Sequence, residues 1–282
     1  MNTDLTPPAA TTPAATPPPS PPRTSARVVA ITAIVVGGVI ILGTLSTALA
    51  STLWAAGDRM TGSRSAEVGG VSRLVVDVAS GDVDVVYADA ARATLQIDGN
   101  PRNWSLERRG DELHVSNSRP WWAGWNFGSW TDRATLTLPT SLADMDLDAT
   151  FDVAAGSLSA TGDYDEVDLH VGAGEAELSG TARSVSVDVS AGRADVDLDG
   201  VAEGALDIGA GEIVASLNGT VRDLTVDVSA GSLTASVPDT TYDVTSDVSA
   251  GSLDNQLSTA SDAPRSIQVD VSAGDVTLLP LP

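Results

Sequence analysis

The chain has 282 residues, and 38 acidic side chains against 15 basic ones give a formal net charge of −23. It contains no cysteine, which excludes disulfides, thiol nucleophiles and cysteine-ligated zinc. Residues 151–282 carry 23 Asp and Glu against four Arg, a net charge of −19, and such a surface repels phosphate backbones. We therefore expect no nucleic-acid partner.

The first segment, residues 1–26, is rich in Pro, Thr, Ala and Ser and includes Pro17-Pro18-Pro19. This composition buries too little apolar surface to offset the entropy lost on ordering. We predict a disordered proline-rich tail, with a proline-rich docking ligand as the alternative.

The next segment is apolar. Val28 to Gly57 contains no charged residue, and its first part is dense in Val, Ile, Leu and Ala. A membrane-spanning helix needs about 20 apolar residues. We predict one transmembrane helix over residues 27–57, so that the membrane is itself a partner of the chain.

The location of the rest of the chain follows from that helix. We predict a single-pass protein of the cell membrane, with residues 58–282 outside the cytoplasm. The alternative is a secreted chain cleaved near Ala50, because Ala48-Leu49-Ala50 fits a signal-peptidase pattern. The apolar regions of signal peptides usually run about 7–15 residues, shorter than the one here.

After a predicted linker at residues 58–72, a repeat dominates residues 73–282. Its Ala-Gly pairs recur every 18 to 23 residues, and apolar residues alternate with polar ones around them. This pattern predicts short strands joined at glycine corners, and stacking such coils buries an interior that no single coil can bury. We predict an all-β protein, a single β-solenoid (β-helix) with coils of about 18–20 residues. A sandwich or propeller is the alternative, but neither requires near-identical corners. The corner glycines are Gly156, Gly174, Gly192, Gly211, Gly231, Gly251 and Gly274.

One further copy of the corner, ending at Gly81, stands upstream of the array. Between it and the array we predict extended strands at Ala93 to Ile97, Glu112 to Ser116 and Ala134 to Leu138. They flank a Trp-rich insertion at about residues 117–131.

The insertion holds four Trp and one Phe within ten residues of a chain that is only 4% aromatic. Three roles are open: covering an exposed end of the solenoid, dipping into the membrane interface, or binding sugar, peptide or lipid through aromatic faces. Arginines flank it, which makes it the place to look for a discrete ligand or interface site. The candidate residues are Trp121, Trp122, Trp125, Phe127 and Trp130.

A carboxylate stands four residues before almost every corner glycine. If the coils stack about 4.8 Å apart, these positions form one row of repelling charges. One hypothesis is that Ca²⁺, the only cofactor suggested, bridges Asp188, Asp207, Asp227, Asp247 and Asp270, since it prefers oxygen ligands. The alternative is that each Asp accepts hydrogen bonds from the backbone amides of its corner. The whole row is Asp77, Asp152, His170, Asp188, Asp207, Asp227, Asp247 and Asp270.

These features resemble the bacterial DUF4097 family of adhesin-like β-helix proteins, over roughly Leu74 to the C-terminus. The resemblance rests on the entry unit Leu74 to Val83, the return strand Ala134 to Pro139 and the Asp-Val-Ser-Ala-Gly corners. It implies a singly anchored envelope protein without catalysis, and some relatives resemble parts of envelope stress responses. The Trp-rich insertion lies outside the resemblance.

Sequence motifs of enzymes are lacking: no nucleophile elbow, Walker loop or His-Glu-x-x-His occurs. We predict a non-enzymatic, adhesin-like surface protein of the envelope, with an envelope protein, a glycan or a cationic peptide as partner. The alternative is a stress-sensing module that captures cationic peptides or divalent cations on its acidic face. Self-assembly through coil ends is disfavoured by Pro280 and Pro282, which lack the amides that an added strand would use.

Overall fold

Alternation of apolar and polar residues produces short strands in the part of the chain that the structure describes. The computed structural model describes residues 61–117, 132–143, 145 and 147–281. In the strand Glu166–Val171, Val167, Leu169 and Val171 are buried and the residues between them face outward. This two-residue period defines an inner and an outer face on each strand.

The strands are numbered in chain order, and two single-turn 3-10 segments, Pro101–Asn103 and Thr140–Leu142, lie among them. The strands are β1 Thr61–Ala66, β2 Arg73–Val78, β3 Asp82–Ala88, β4 Ala93–Asp98, β5 Trp104–Arg109, β6 Glu112–Asn117, β7 Arg133–Pro139, β8 Asp148–Val153, β9 Ser157–Asp163, β10 Glu166–Val171, β11 Glu175–Thr181, β12 Ser184–Val189, β13 Arg193–Ile208, β14 Glu212–Val228, β15 Ser232–Val237, β16 Thr241–Val248, β17 Ser252–Asn255, β18 Ser258–Thr259, β19 Ser266–Val271 and β20 Asp275–Pro280.

Successive repeats lie side by side in parallel. On one side of the glycine corner, β10 pairs with β8 and β12; on the other side, β11 pairs with β9 and the first half of β13. The register places each residue beside its counterpart one repeat away, so the repeats stack as the coils of a solenoid. The all-β class is confirmed.

The corners explain the recurring glycine. A Cβ on Gly192 would lie 2.2 Å from the carbonyl oxygen of Gly174, and one on Gly211 would lie 2.3 Å from that of Gly192. The corner amides hold the coils at this distance, because the N–H of Ala191 donates to Gly172 O at 2.8 Å. Only a residue without a side chain fits between coils stacked so closely.

Apolar side chains fill the interior in rows. Val187 and Val189 are 1% and 0% exposed, and Leu206 and Ile208 occupy the same positions one coil later. The apolar residues that alternate with polar ones around each corner are therefore the core residues. Burial of this continuous apolar interior is the main favourable contribution to folding.

The stack begins with strands that leave the repeat. β6 and β7 pair in parallel with β2 and β3, and then β5 pairs with β6, β4 with β7 and β1 with β4, all antiparallel. The predicted strands at 93–97, 112–116 and 134–138 are confirmed as β4, β6 and β7. The predicted linker, residues 58–72, is wrong in part, since it contains β1 and the buried Val68 and Val71.

The other end of the stack does not follow chain order. The last repeat, β19 and β20, lies between its two predecessors: β19 pairs with β14 and β16, and β20 with β15 and β17. The coil of β16 and β17 is therefore the terminal one, and Pro280 lies beside Val237 within the sheet. Pro280 therefore does not lie at the open end of the stack, so the prediction that it disfavours self-assembly through that end is wrong.

The inward residues of the last two coils account for this reversed order. Ser246 of β16 and Asn255 of β17 are the neighbours of Val269 and Leu278. Enclosing a hydroxyl or amide without a partner costs about 1–3 kcal/mol, whereas enclosing Val and Leu is favourable. The fully apolar coil occupies the interior position, and the partly polar one takes the end.

Among the residues that the structure describes, no helix is long and apolar enough to cross a membrane. The predicted proline-rich tail and transmembrane helix, residues 1–26 and 27–57, lie outside those residues, and both stay predictions.

Candidate functional site

The predicted row of carboxylates, here called the Asp ladder, exists on the outer face beside the glycine corners. Asp77 lies beside Asp152, His170 lies between Asp152 and Asp188, and Asp207 follows Asp188. At the far end the order departs from the sequence, because Asp227 pairs with Asp270 and Asp270 with Asp247. Ser116 of β6 occupies the position next to Asp77 at the other end.

The ladder carboxylates repel one another. Partial burial raises the pKa of Asp207, and the charges of Asp188 and Asp227 raise it further. Burial and then Asp152 raise the pKa of Asp77, while His114 opposes them. A raised carboxyl pKa means that the folded chain disfavours the charged form, and at Asp77 and Asp207 the neighbouring carboxylates add to the effect of burial.

The predicted hydrogen bonds from the corner amides to the ladder carboxylates do not form in the described residues. The N–H groups of Ser190 and Ala191 donate to carbonyl oxygens of the preceding coil, Val171 O at 2.9 Å and Gly172 O at 2.8 Å. Among the described residues, Asp270 is the ladder member with a side-chain hydrogen bond, which Gln268 Nε2 donates at 2.9 Å. Coil stacking uses the amides, and the other ladder side chains face solvent without partners within that part of the chain.

Elsewhere on the outer face, arginine side chains neutralise acidic ones through ion pairs. Arg193 forms an ion pair with Asp195 at 2.8 Å on its own strand and with Glu212 at 2.5 Å on the next coil. Arg183 binds Asp165 through two bonds, of 2.6 and 2.8 Å. No basic side chain takes such a place in the Asp ladder within the described ranges, apart from the imidazole of His170.

The described residues form no preformed metal-binding site. Within residues 61–117, 132–143 and 147–281, no three carboxylate or imidazole groups come together as a group able to hold a metal ion. Any cation on Asp188, Asp207, Asp227, Asp247 or Asp270 would have to bridge pairs of neighbouring carboxylates and complete its shell with water. The Ca²⁺ ladder stays a prediction.

The Trp-rich candidate site, Trp121 to Trp130, lies outside the described residues. The structure does describe the residues that precede and follow the insertion. Asn117 and Asp132 border the corner at Gly81, and the Asn117 amide donates to Ser80 O. Arg133, which flanks the insertion, is paired with Asp82 at 3.1 Å.

Sequence reasoning missed the open edge of the terminal coil, here defined as the outer side of β16 and β17. Val248 is 38% exposed, whereas Val228 and Val271 in the same row are 0% and 2% exposed. The signal was present in the sequence, because Ser246 and Asn255 are polar at positions where other repeats are apolar.

A shallow groove of about 440 Å³ lies on the outer face of β1, β4 and β7. Its charged members are Asp98 and Arg133, and Arg133 already pairs with Asp82. Its lining combines polar side chains with a larger share of apolar surface. The lining residues are Thr61, Gly62, Ser63, Gln96, Ile97, Asp98, Arg133 and Thr135.

Several solved structures are similar to this chain at low identity. A "putative adhesin" of Parabacteroides distasonis is 15% identical with a TM-score of 0.48, and the match covers 79% of this chain and 98% of that one. A "putative lipid binding protein" of the same species is 15% identical with a TM-score of 0.45, covering 78% and 98%. A "putative adhesin" of Bacteroides fragilis is 11% identical with a TM-score of 0.44, covering 78% and 97%.

No protein-family profile matches the chain, and no curated protein matches it. The resemblance to the DUF4097 family stays a prediction.

Proposed function

We propose that the chain is a non-enzymatic, membrane-anchored surface protein whose stacked coils form an adhesin-like interaction surface on a bacterial envelope. The observation that carries this proposal is the joining of one long uncharged segment, Val28 to Gly57, to a uniform acidic stack of coils. The outer faces repeat the same side chains from coil to coil. Such rows suit extended contacts better than they suit catalysis, which needs a distinguished pair of groups.

Membrane fractionation of cells that express the full chain tests the anchor. We expect the intact chain to remain with membranes after an alkaline carbonate wash, and protease added outside the cells to remove the repeat. Sequencing of the N-terminus separates the alternatives. A mature chain that starts just after Ala50 and is recovered from the medium would overturn the anchor.

Cell attachment tests the interaction role. Cells that express the full chain are compared with cells that express residues 1–72 alone, so that both keep the anchor segment. We expect the full chain to increase attachment between cells, measured as the rate of sedimentation. Equal rates would contradict the adhesin-like role.

The uncompensated charge of the ladder favours a second candidate, a stress-sensing module that captures cationic peptides or divalent cations. Burial and then the charges of Asp188 and Asp227 disfavour the carboxylate of Asp207, so a bound cation would relieve the repulsion. Binding to exposed charges weakens as salt shortens the range of the field. A cationic peptide that binds the full chain equally well in 20 mM and 500 mM salt would rule out capture by the ladder.

A further inference from the structure

The terminal coil presents unused backbone groups. In the described residues, β16 pairs with β19 from Asp243 to Val248, and on the other side only Thr241 and Tyr242 pair with β18. The N–H groups of Asp243 and Ser249 donate inward, to Arg265 O at 2.8 Å and Val271 O at 2.9 Å.

Peptide groups of successive residues in a strand alternate in direction. Those of Val244, Ser246 and Val248 therefore point to the open edge. The inner face is also incompletely covered there, because Val248 is 38% exposed and Val244 and Leu253 are only partly buried. β16 offers both the hydrogen-bonding groups and the apolar contacts that an added strand uses.

The chain between Asn117 and Asp132 is too short to reach β16 and supply that strand. It leaves from β6, which lies eight strand positions from β16 in the stack, a separation of about 38 Å. Fourteen residues with both ends fixed extend at most about 24 Å. The C-terminus is also placed elsewhere, since Leu281 N–H donates to Val237 O at 2.7 Å.

Charge selects the partner. The outward side chains along the edge include Asp243, Asp247 and Asp254, within a region of net charge −19. A second copy of this chain would bring its own acidic edge against this one, and repulsion between like charges on neighbouring strands is destabilising. A basic strand would place opposite charges there.

We propose that the open edge of β16 binds an extended cationic peptide as one further strand. Apolar residues of the peptide, at every second position, cover Val244 and Val248, and the basic residues between them lie beside Asp243 and Asp247. The proposal rests on the function proposed above as a surface interaction protein, and it adds the site and the chemical class of the partner.

The first test uses a fluorescent eight-residue peptide of alternating Val and Arg, added to the full chain in detergent micelles and followed by anisotropy. Two further peptides carry N-methyl groups on the Val residues only or on the Arg residues only. Because alternate amides face β16, one methylated form should bind roughly tenfold more weakly and the other as well as the parent. Equal binding of all three peptides would overturn the proposal.

The second test uses matched variants at one position. Ser246→Pro removes an outward N–H without breaking the ladder to β19, and Ser246→Ala keeps that N–H. We expect roughly tenfold weaker binding for Ser246→Pro and unchanged binding for Ser246→Ala. Unchanged binding by a folded Ser246→Pro chain contradicts the site.

If Ser246→Pro lowers the melting temperature, variants that change only the charge of the edge test the same site. We expect Asp243→Asn with Asp247→Asn to weaken binding and Asp188→Asn, in the same row of the interior coils, to leave it unchanged. If Asp188→Asn weakens binding equally, the peptide is held by the acidic face, so the edge site is wrong and capture by the ladder stands. Dimers of the peptide-free chain in light scattering would instead assign the edge to a second copy and overturn the proposal.

Discussion

At the scale of single residues, the corner glycines set how closely the coils approach. Replacing Gly192 by Ala would place a methyl group 2.2 Å from Gly174 O, so the two coils must separate. We expect Gly192→Ala to lower the free energy of unfolding by about 1–3 kcal/mol, measured by urea unfolding followed by circular dichroism.

Gly69 provides the matched control, since nothing lies within 4 Å of a Cβ built there and its backbone is not left-handed. We expect Gly69→Ala to change the free energy of unfolding by less than about 0.5 kcal/mol. Equal losses in the two variants would show that coil contact is not the reason for the corner glycines.

A second residue-scale prediction concerns the charge of Asp207. Its pKa is raised by burial and by Asp188 and Asp227, so its carboxylate opposes folding at neutral pH. This penalty fades as the pH falls through the raised pKa, and it is gone below the ordinary value of 3.8. We expect Asp207→Asn to stabilise the fold at pH 7 by a few tenths of a kcal/mol after solvent screening, and to have no effect below pH 3.5.

The comparison for that prediction is Asp197→Asn. Asp197 also faces outward, but its neighbours on the adjacent coils are Ser179 and Ser216. Its replacement removes the same net charge without relieving a row of carboxylates, so we expect a smaller gain at pH 7. Equal unfolding midpoints for the two variants at every pH would remove the ladder as the cause.

At the scale of strands and coils, most of the architecture follows from the sequence. Period-two alternation gave the strands, and the spacing of the corner glycines gave the register, which placed His170 between Asp152 and Asp188. The antiparallel pairing of β4 with β7 and of β5 with β6 was not predicted. The alternation in a short strand shows which face is buried, but it does not show which strand lies beside it.

The order of the last two coils was also missed. Counting repeats places Asp247 before Asp270, whereas the structure reverses them. Ser246 and Asn255 would be enclosed in the chain order and lie at the open end in the observed order. The free energy of burying them differs between the two orders, and this difference appears only when the two are compared. Likewise, the hydrogen bonds expected for the ladder were assigned to amides that coil stacking already uses.

The coil order can be tested by substitutions at equivalent positions. In the observed order Val269 is enclosed between coils and Ser246 faces the open end. Val269→Ser should lower the free energy of unfolding by about 2–4 kcal/mol, since it removes apolar contacts and encloses a hydroxyl. Ser246→Val should change it by less than about 1 kcal/mol. If the coils followed the chain order, Ser246→Val would be the strongly stabilising change.

Disulfide trapping checks the same order directly, in a chain that has no native cysteine. Thr225 and Gln268 are neighbours in the sheet, and Gln268 lies between Thr225 and Thr245. Neighbouring strands lie within the range of Cα separations that a disulfide spans, and second neighbours do not. We expect mild oxidation to cross-link Thr225→Cys with Gln268→Cys but not Thr225→Cys with Thr245→Cys, as seen by mobility on non-reducing gels.

At the scale of the whole molecule, a net charge of −23 on a stack of coils makes stability depend on the surrounding ions. Repulsion between exposed charges is screened over about 10 Å at 0.1 M salt and about 3 Å at 1 M. We expect the melting temperature of the full chain to rise when NaCl is raised from 20 mM to 500 mM.

Calcium separates screening from binding. A ligand that binds only the folded chain raises the melting temperature beyond any ionic-strength effect, so the comparison is between CaCl₂ and NaCl at equal ionic strength. Bridging by the Asp ladder predicts an added rise with CaCl₂ that is lost in Asp207→Asn and kept in Asp197→Asn. Identical melts in the two salts would leave the ladder as a row of solvated charges whose repulsion only ionic strength relieves.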